Sequence, residues 1–184
     1  MVVGPVVHPT NPVGSLTVTQ LQGIYTAHIP SWSELKGSRT SIRLYGLSSD
    51  SPIEQLLREK LGVNRLSVRV IRRSATAQVV AAVARDPTAI GFVDLSELSP
   101  KDSSVKLLKV VLPEKPFGVS ARDDDYPLAR AYTLYAAPGM DETTREFARF
   151  LMSGRGAGVI VRHGLLPSTP LPEGPLRGTE AARR

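Results

Sequence analysis

Asp86-Pro87-Thr88-Ala89-Ile90-Gly91-Phe92-Val93 is the stretch at which the chain changes period, and it decides the fold class. Upstream of it, Ser74 opens an alanine- and valine-rich segment that reads as a helix running to Asp86-Pro87. Downstream, residues 89–95 form an apolar run of strand length. Helix, turn and strand therefore follow within about twenty residues, as in an α/β unit, by the usual element and connection lengths.

The same alternation extends both ways. Toward the N-terminus, Leu66, Val68 and Val70 alternate with polar neighbours and predict a strand. Before them, Pro52 stands at a first helical position, with Ser51 and Glu54 at capping-box spacing and Gly62 at the stop. Ile53, Leu56, Leu57 and Leu61 mark that helix's buried face, and Ile42 and Leu44 predict the strand that feeds it. Further out, Thr17 and Gln20 form another capping box, with Leu16 and Leu21 as the staple and Leu21, Ile24 and Tyr25 as the buried stripe. Between the two helices, Ser31-Trp32-Ser33-Glu34 predicts one capped helical turn that stops at Gly37. Residues 2–8 form a β-branched run closed by Pro9, read as a buried strand.

Toward the C-terminus, residues 105–112 and 131–137 read as strands. Asp141 caps a helix carrying Phe147, Phe150 and Leu151, and a short last helix ends at Gly164. From Ser168 the chain is Pro, Gly, Arg and Glu with little to bury, so 168–184 is expected to be a disordered tail. Strands and helices alternate throughout, which gives an α/β class.

Composition narrows the function. With 184 residues the chain is long enough for one sizeable domain or two small lobes. It has no cysteine, which excludes thiolate catalysis, disulfides and cysteine zinc sites. The formal charge of +6 suits an anionic partner. The basic residues are nonetheless interspersed with acids, and the single Trp and scattered Phe and Tyr give no stacking platform, so nucleic acid is not expected. No run approaches the roughly 20 apolar residues of a membrane span. The start shows no signal-peptide pattern, which leaves a cytoplasmic protein or a piece of a longer, secreted product.

Four ordered segments resemble the phosphate-binding solute receptors of ABC transporters. His8-Pro9-Thr10-Asn11-Pro12-Val13 with Leu16-Thr17, Gln20-Leu21 and Ile24-Tyr25 is similar to the strand and first helix entering that family's second lobe. Trp32-Ser33-Glu34-Leu35 matches the next turn, the Asp86 to Val93 stretch matches the strand segment, and Tyr126-Pro127-Leu128-Ala129-Arg130 with residues 147–153 and Gly164 resembles the return to the first lobe. The resemblance spans residues 6–167 and implies a type II periplasmic-binding-protein fold with an incomplete first lobe. Residues 15–112 would form lobe two, and 1–14 and 113–167 the remnant of lobe one. It also implies a non-enzymatic solute-binding module for a small oxyanion such as phosphate, with an ABC permease or another protein as partner and no cofactor. The alternative is a degenerate member acting as a sensor or protein-interaction module.

In that family an Arg followed by Ser-Gly-Thr opens a helix and holds the anion with guanidinium, hydroxyls and unpaired helix amides. The matching window here places Leu47 at the Arg position, keeps Ser51, and has Pro52 and Ile53 in place of Gly and Thr. The candidate ligand residues are therefore Ser48, Ser49 and Ser51, with Arg73 and Ser74 from the helix that also faces the cleft in the family. The same serines also read as plain helix caps and the arginines as solvated charge. Two S-x-x-K tetrapeptides lack the partner motifs of acyl-enzymes, and His8, His28 and His163 lack ligand spacing. Asp123-Asp124-Asp125 lacks a Gly-spaced cation loop, and Gly154 to Gly158 lacks the strand a dinucleotide loop requires. No catalytic or metal residue is assigned.

Overall fold

The computed structural model describes residues 1–99, 102–112, 115–119, 126–130 and 139–163. The chain divides into two units, Met1–Ala131 and Tyr132–Arg184.

In the first unit, Val3–Val7 (β1) is buried at every position, as its β-branched composition requires. Ser15–Thr17 (β2) leads into Val18–Tyr25 (α1), whose start carries the expected reciprocal cap. Gln20 N–H donates to Thr17 Oγ1 at 3.0 Å, and Thr17 N–H donates to Gln20 Oε1 at 2.8 Å. Trp32–Leu35 is a single 3-10 turn. Ser31 caps it by accepting from Ser33 N–H, and the stop is Lys36 in the left-handed region (φ 59°), one residue before the expected Gly37. Arg43–Leu47 (β3) precedes Pro52–Leu61 (α2), which Gly62 ends at φ 64° in the region where glycine has no Cβ penalty.

The strand expected over Leu66, Val68 and Val70 lies later, at Ile71–Arg73 (β4). Leu66 and Val70 are buried, but Val68 is 97 % exposed. Ser67 N–H is claimed by the Tyr25 carbonyl at 2.8 Å and Val70 N–H by the Ser67 carbonyl, so this segment turns instead of laddering. Thr76–Val83 (α3) follows, then Ala89–Asp94 (β5). The continuous strand expected over 105–112 is two pieces, Lys106–Leu107 (β6) and Lys109–Leu112 (β7), because Leu108 N–H turns to the Pro5 carbonyl and the halves join different sheets. Lys115–Val119 (β8) completes the strands described. The strand read over 131–137, the helix stop at Gly164 and the 168–184 tail lie outside the described residues.

The larger sheet has the order β4-β3-β5-β1-β6, and the smaller β2-β7-β8. Strands β3, β4 and β5 are mutually parallel, while β1 runs antiparallel to β5 and β6. The β3-α2-β4 crossover moves to the sheet edge and the β4-α3-β5 crossover returns past β3. Right-handed connections of opposite direction put α2 and α3 on opposite faces. Side chains agree: Phe92 meets Tyr25 of α1, the helix that packs with α2, edge to face at 4.9 Å, whereas the neighbouring Gly91 faces Val79 and Val83 of α3.

A Cβ on Gly91 would stand 2.6 Å from Val79 Cγ1 and 3.0 Å from Val83 Cγ2. Gly91→Ala is therefore expected to cost about 1–3 kcal/mol by overpacking. Urea unfolding would read this as a lower midpoint at unchanged slope.

In the second unit, Glu142–Leu151 (α4) is capped as expected by Asp141, whose carboxylate accepts from Thr144 N–H at 2.7 Å. Gly154–Arg162 (α5) opens on Ser153, which accepts from Gly156 N–H. A Cβ on Gly156 would lie 2.0 Å from the Phe150 carbonyl oxygen, so α5 can start this close to α4 only on glycine. Among the described residues, no helix is long and apolar enough to cross a membrane.

Candidate functional site

Parallel strands present their carboxyl ends on one edge of a sheet, and the loops leaving them are where open α/β sheets hold ligands. Here β3 and β4 end side by side, with Leu47 in register with Arg73. Loop 48–51 leads from β3 into α2, and Ser74-Ala75 leads from β4 into α3. All five residues nominated from sequence, Ser48, Ser49, Ser51, Arg73 and Ser74, thus stand at this one edge.

Most of their polar atoms have internal partners. Ser51 Oγ accepts from Glu54 N–H at 3.2 Å, and Ser51 N–H donates to the Ser48 carbonyl at 3.0 Å. Ser48 Oγ donates to the Asp50 carboxylate. That hydroxyl first, and then Asp50's own amide, hold the Asp50 carboxyl below the ordinary carboxylate value, so the loop carries a fixed negative charge at neutral pH. Ser49 is exposed, and its carbonyl accepts from Arg58 Nη2 at 3.5 Å. With Pro52 lacking an N–H and Glu54 N–H capped, Ile53 N–H is the donor of the first turn of α2 without an internal bond among the described residues.

Ser74 was expected to cap α3, but the cap position is Ala75, which has no side chain able to bond. Ser74 instead donates, from both its amide (3.2 Å) and its hydroxyl (3.0 Å), to Gln78 Oε1.

Successive strand residues point to opposite faces, and this separates the two arginines of β4. Arg73 turns to the α3 face, where its guanidinium lies 5.4 Å from the centre of the Tyr45 ring. There it lines an open groove of about 760 Å³ with Arg43, Tyr45, Gln78, Arg85 and Asp86. Arg72 turns to the α2 face, where Nη1 donates to the Leu47 carbonyl at 2.8 Å and pairs with the Glu54 carboxylate.

Glu54 stands at the capping-box position, but its carboxylate does not return to the cap amide. It is 4 % exposed and turned to Arg72, eighteen residues on. Behind this pair, Tyr25 is fully buried and its hydroxyl donates to the Tyr45 carbonyl at 3.3 Å. Burial, and after it the Glu54 charge, push the phenol well above its usual value, so it remains a neutral donor. Arg72 and Glu54 lie outside the candidate ligand residues nominated from sequence. The one available signal was a basic residue at a strand end opposite an acid in the first turn of the preceding helix. No group of three or more His, Asp or Glu side chains suited to a metal ion occurs among the described residues.

The mixed α/β sheet, whose parallel strands end on helix openings rich in hydroxyls with guanidinium groups beside them, has the periplasmic-binding-protein-like fold class. The family model described as "PBP superfamily domain" matches residues 2–155, and the chain belongs to that family. It is 28 % identical over 151 residues to "Phosphate-binding protein PstS 2" of Streptococcus agalactiae, covering 77 % of this chain and 46 % of the relative. It is 26 % identical over 185 residues to "Phosphate-binding protein PstS" of Pseudomonas aeruginosa, covering 88 % of this chain and 56 % of that protein. The chain thus spans about half the length of the curated relatives it matches. In three dimensions it is similar to an ABC-type phosphate transport receptor from Vibrio cholerae, with a TM-score of 0.69 and 25 % identity over 90 % of this chain and 68 % of the receptor. The family and the α/β class expected from the sequence are those found.

Proposed function

We propose that the chain is a solute-binding module that takes phosphate or another small oxyanion at the carboxyl edge of β3 and β4, serving ABC transport or sensing. The observation that carries this is the gathering of two helix openings, three loop serines and the Arg72 guanidinium at one sheet edge. The curated relatives named as phosphate-binding proteins support it. Such an edge supplies partial positive charge from amides and directed donors from side chains. The lobe division of 15–112 against 1–14 and 113–167 is part of the proposal, with Val3–Val7 as a strand that crosses into the sheet of the former.

Isothermal titration with inorganic phosphate tests the reading. Saturable heat is expected, and no heat at millimolar phosphate would overturn it. Asp50→Asn is expected to tighten binding severalfold, because it removes a negative charge from the loop. The depressed Asp50 value also fixes a pH dependence. The carboxylate's contribution to stability is complete above its unfolded value of about 3.9 and disappears as pH falls through the lower folded value. Asp50 therefore stays ionised at neutral pH, and the Asp50→Asn effect on binding should grow with pH only as the phosphate dianion replaces the monoanion.

A second reading has its own support. Pro52 offers no amide, and Ser48, Ser51 and Ser74 are engaged internally. This favours a family member that has given up its ligand and acts through a protein partner. A stable partner recovered in a pull-down, with no thermal shift from phosphate, sulfate or other oxyanions, is the result that selects it.

A further inference from the structure

We infer that the guanidinium that meets the anion is Arg72, and that Glu54 is the residue that positions it, while the adjacent Arg73 does not take part. This rests on the anion-binding reading above and assigns its principal donor.

Glu54 lies in the first turn of α2 and is 4 % exposed, so its carboxylate has little water and needs a cation. Arg72 supplies that cation from the neighbouring strand end through Nη1, and the same nitrogen donates to the Leu47 carbonyl at 2.8 Å. Two acceptors on one nitrogen fix the planar group in direction. Nη2 and Nε have no hydrogen bond among the described residues, and the side chain is 36 % exposed. A guanidinium whose inner corner is clamped and whose outer N–H groups are unspent is pre-organised to meet two oxygens of one anion, a geometry a lysine cannot reproduce.

Ile53 N–H, on the same helix turn, is a further donor of the same sign at this end of α2. Arg73 has no such arrangement: it stacks on Tyr45 on the opposite face, and its Nη1 donates to the Arg72 carbonyl at 3.1 Å.

The alternative role for the pair is purely structural, a clamp holding α2 to the sheet. Two measurements on the full chain separate the roles. In titration with inorganic phosphate, Arg72→Lys is expected to raise Kd at least tenfold and Arg73→Lys to leave it within twofold. In side-chain 15N–1H spectra of the wild-type chain, the Arg72 Nε–H signal is expected to shift with phosphate concentration and the Arg73 signal to stay in place. The spectra need no variant, so they decide the matter even if Arg72→Lys folds poorly.

An Arg72 signal indifferent to phosphate in a protein that binds phosphate overturns the assignment and leaves the binding reading standing. Absence of phosphate heat from the wild-type chain overturns both.

Discussion

Trp32→Ala is expected to destabilise the first unit by about 3–5 kcal/mol, the largest loss from a single truncation in this core. The indole is 0 % exposed. Its Nε1–H donates to the Thr88 carbonyl at 2.8 Å, across 56 residues of sequence, at the point where β5 begins. The same carbonyl accepts from Arg43 N–H at the start of β3, so Trp32 joins the entries of two adjacent parallel strands. Its backbone is tied as well: Trp32 N–H donates to the Thr40 carbonyl, and Gly37 passes so close that a Cβ there would lie 3.0 Å from Trp32 Cβ.

Truncation leaves a cavity that this tethered loop cannot close, which places the cost toward the upper end for a large aromatic. Against a typical total of about 5–15 kcal/mol, such a loss removes about a fifth or more of the stability. Trp32 is the sole tryptophan, so wild-type unfolding is followed by its fluorescence and the variant by far-ultraviolet circular dichroism. Trp32→Phe, which keeps most of the volume and loses the N–H donor, should recover most of the loss. A Trp32→Ala cost below about 1 kcal/mol would mean that the loop is not anchored as described.

The elements carrying complete local signals were legible in the sequence. Thr17 with Gln20, and Ser51-Pro52 with Gly62, each specify a helix start or stop from residues within one turn of it, and the structure places α1 and α2 there. The errors occur where a distant partner decides. Alternation over Leu66, Val68 and Val70 is a strand pattern, yet the Tyr25 carbonyl captures Ser67 N–H and leaves Val68 in solvent. Residues 105–112 form one apolar run, yet Pro5 draws in Leu108 N–H and splits it between sheets.

The site divides in the same way. Which serines stand at helix openings is local information, and all three loop serines are there. Whether Arg72 or Arg73 faces α2 depends on the phase of the pleat, and two adjacent arginines give the sequence no means of fixing it. Glu54 fits a capping box as well as any glutamate does. Only the fold reveals that a guanidinium eighteen residues later claims its carboxylate.

Under the proposed reading, the combined variant Leu47→Arg, Pro52→Gly, Ile53→Thr should bind phosphate on the order of a hundred to ten thousand times more tightly than the wild type. The substitutions restore the Arg and Ser-Gly-Thr pattern that this window lacks. They add one charge-assisted bond, worth about 1.5–3 kcal/mol, and two neutral bonds of about 0.5–1.5 kcal/mol each. At a factor of ten per roughly 1.4 kcal/mol this gives the stated range.

The price is paid in the apo protein. Leu47 and Ile53 are each 8 % exposed, Pro52 pre-sets the first turn of α2, and an arginine at 47 would lie in register with Arg73. Two guanidinium groups brought side by side repel one another, and a bound anion nearby offsets that repulsion. The variant should therefore melt below the wild type in phosphate-free buffer and regain stability with phosphate concentration as RT ln(1 + [L]/Kd) requires. Titration calorimetry and phosphate-dependent melting measure the same constant by independent routes. A folded variant whose affinity rises by less than about threefold would remove the opening of α2 from the ligand site, because the added donors would then be facing solvent alone.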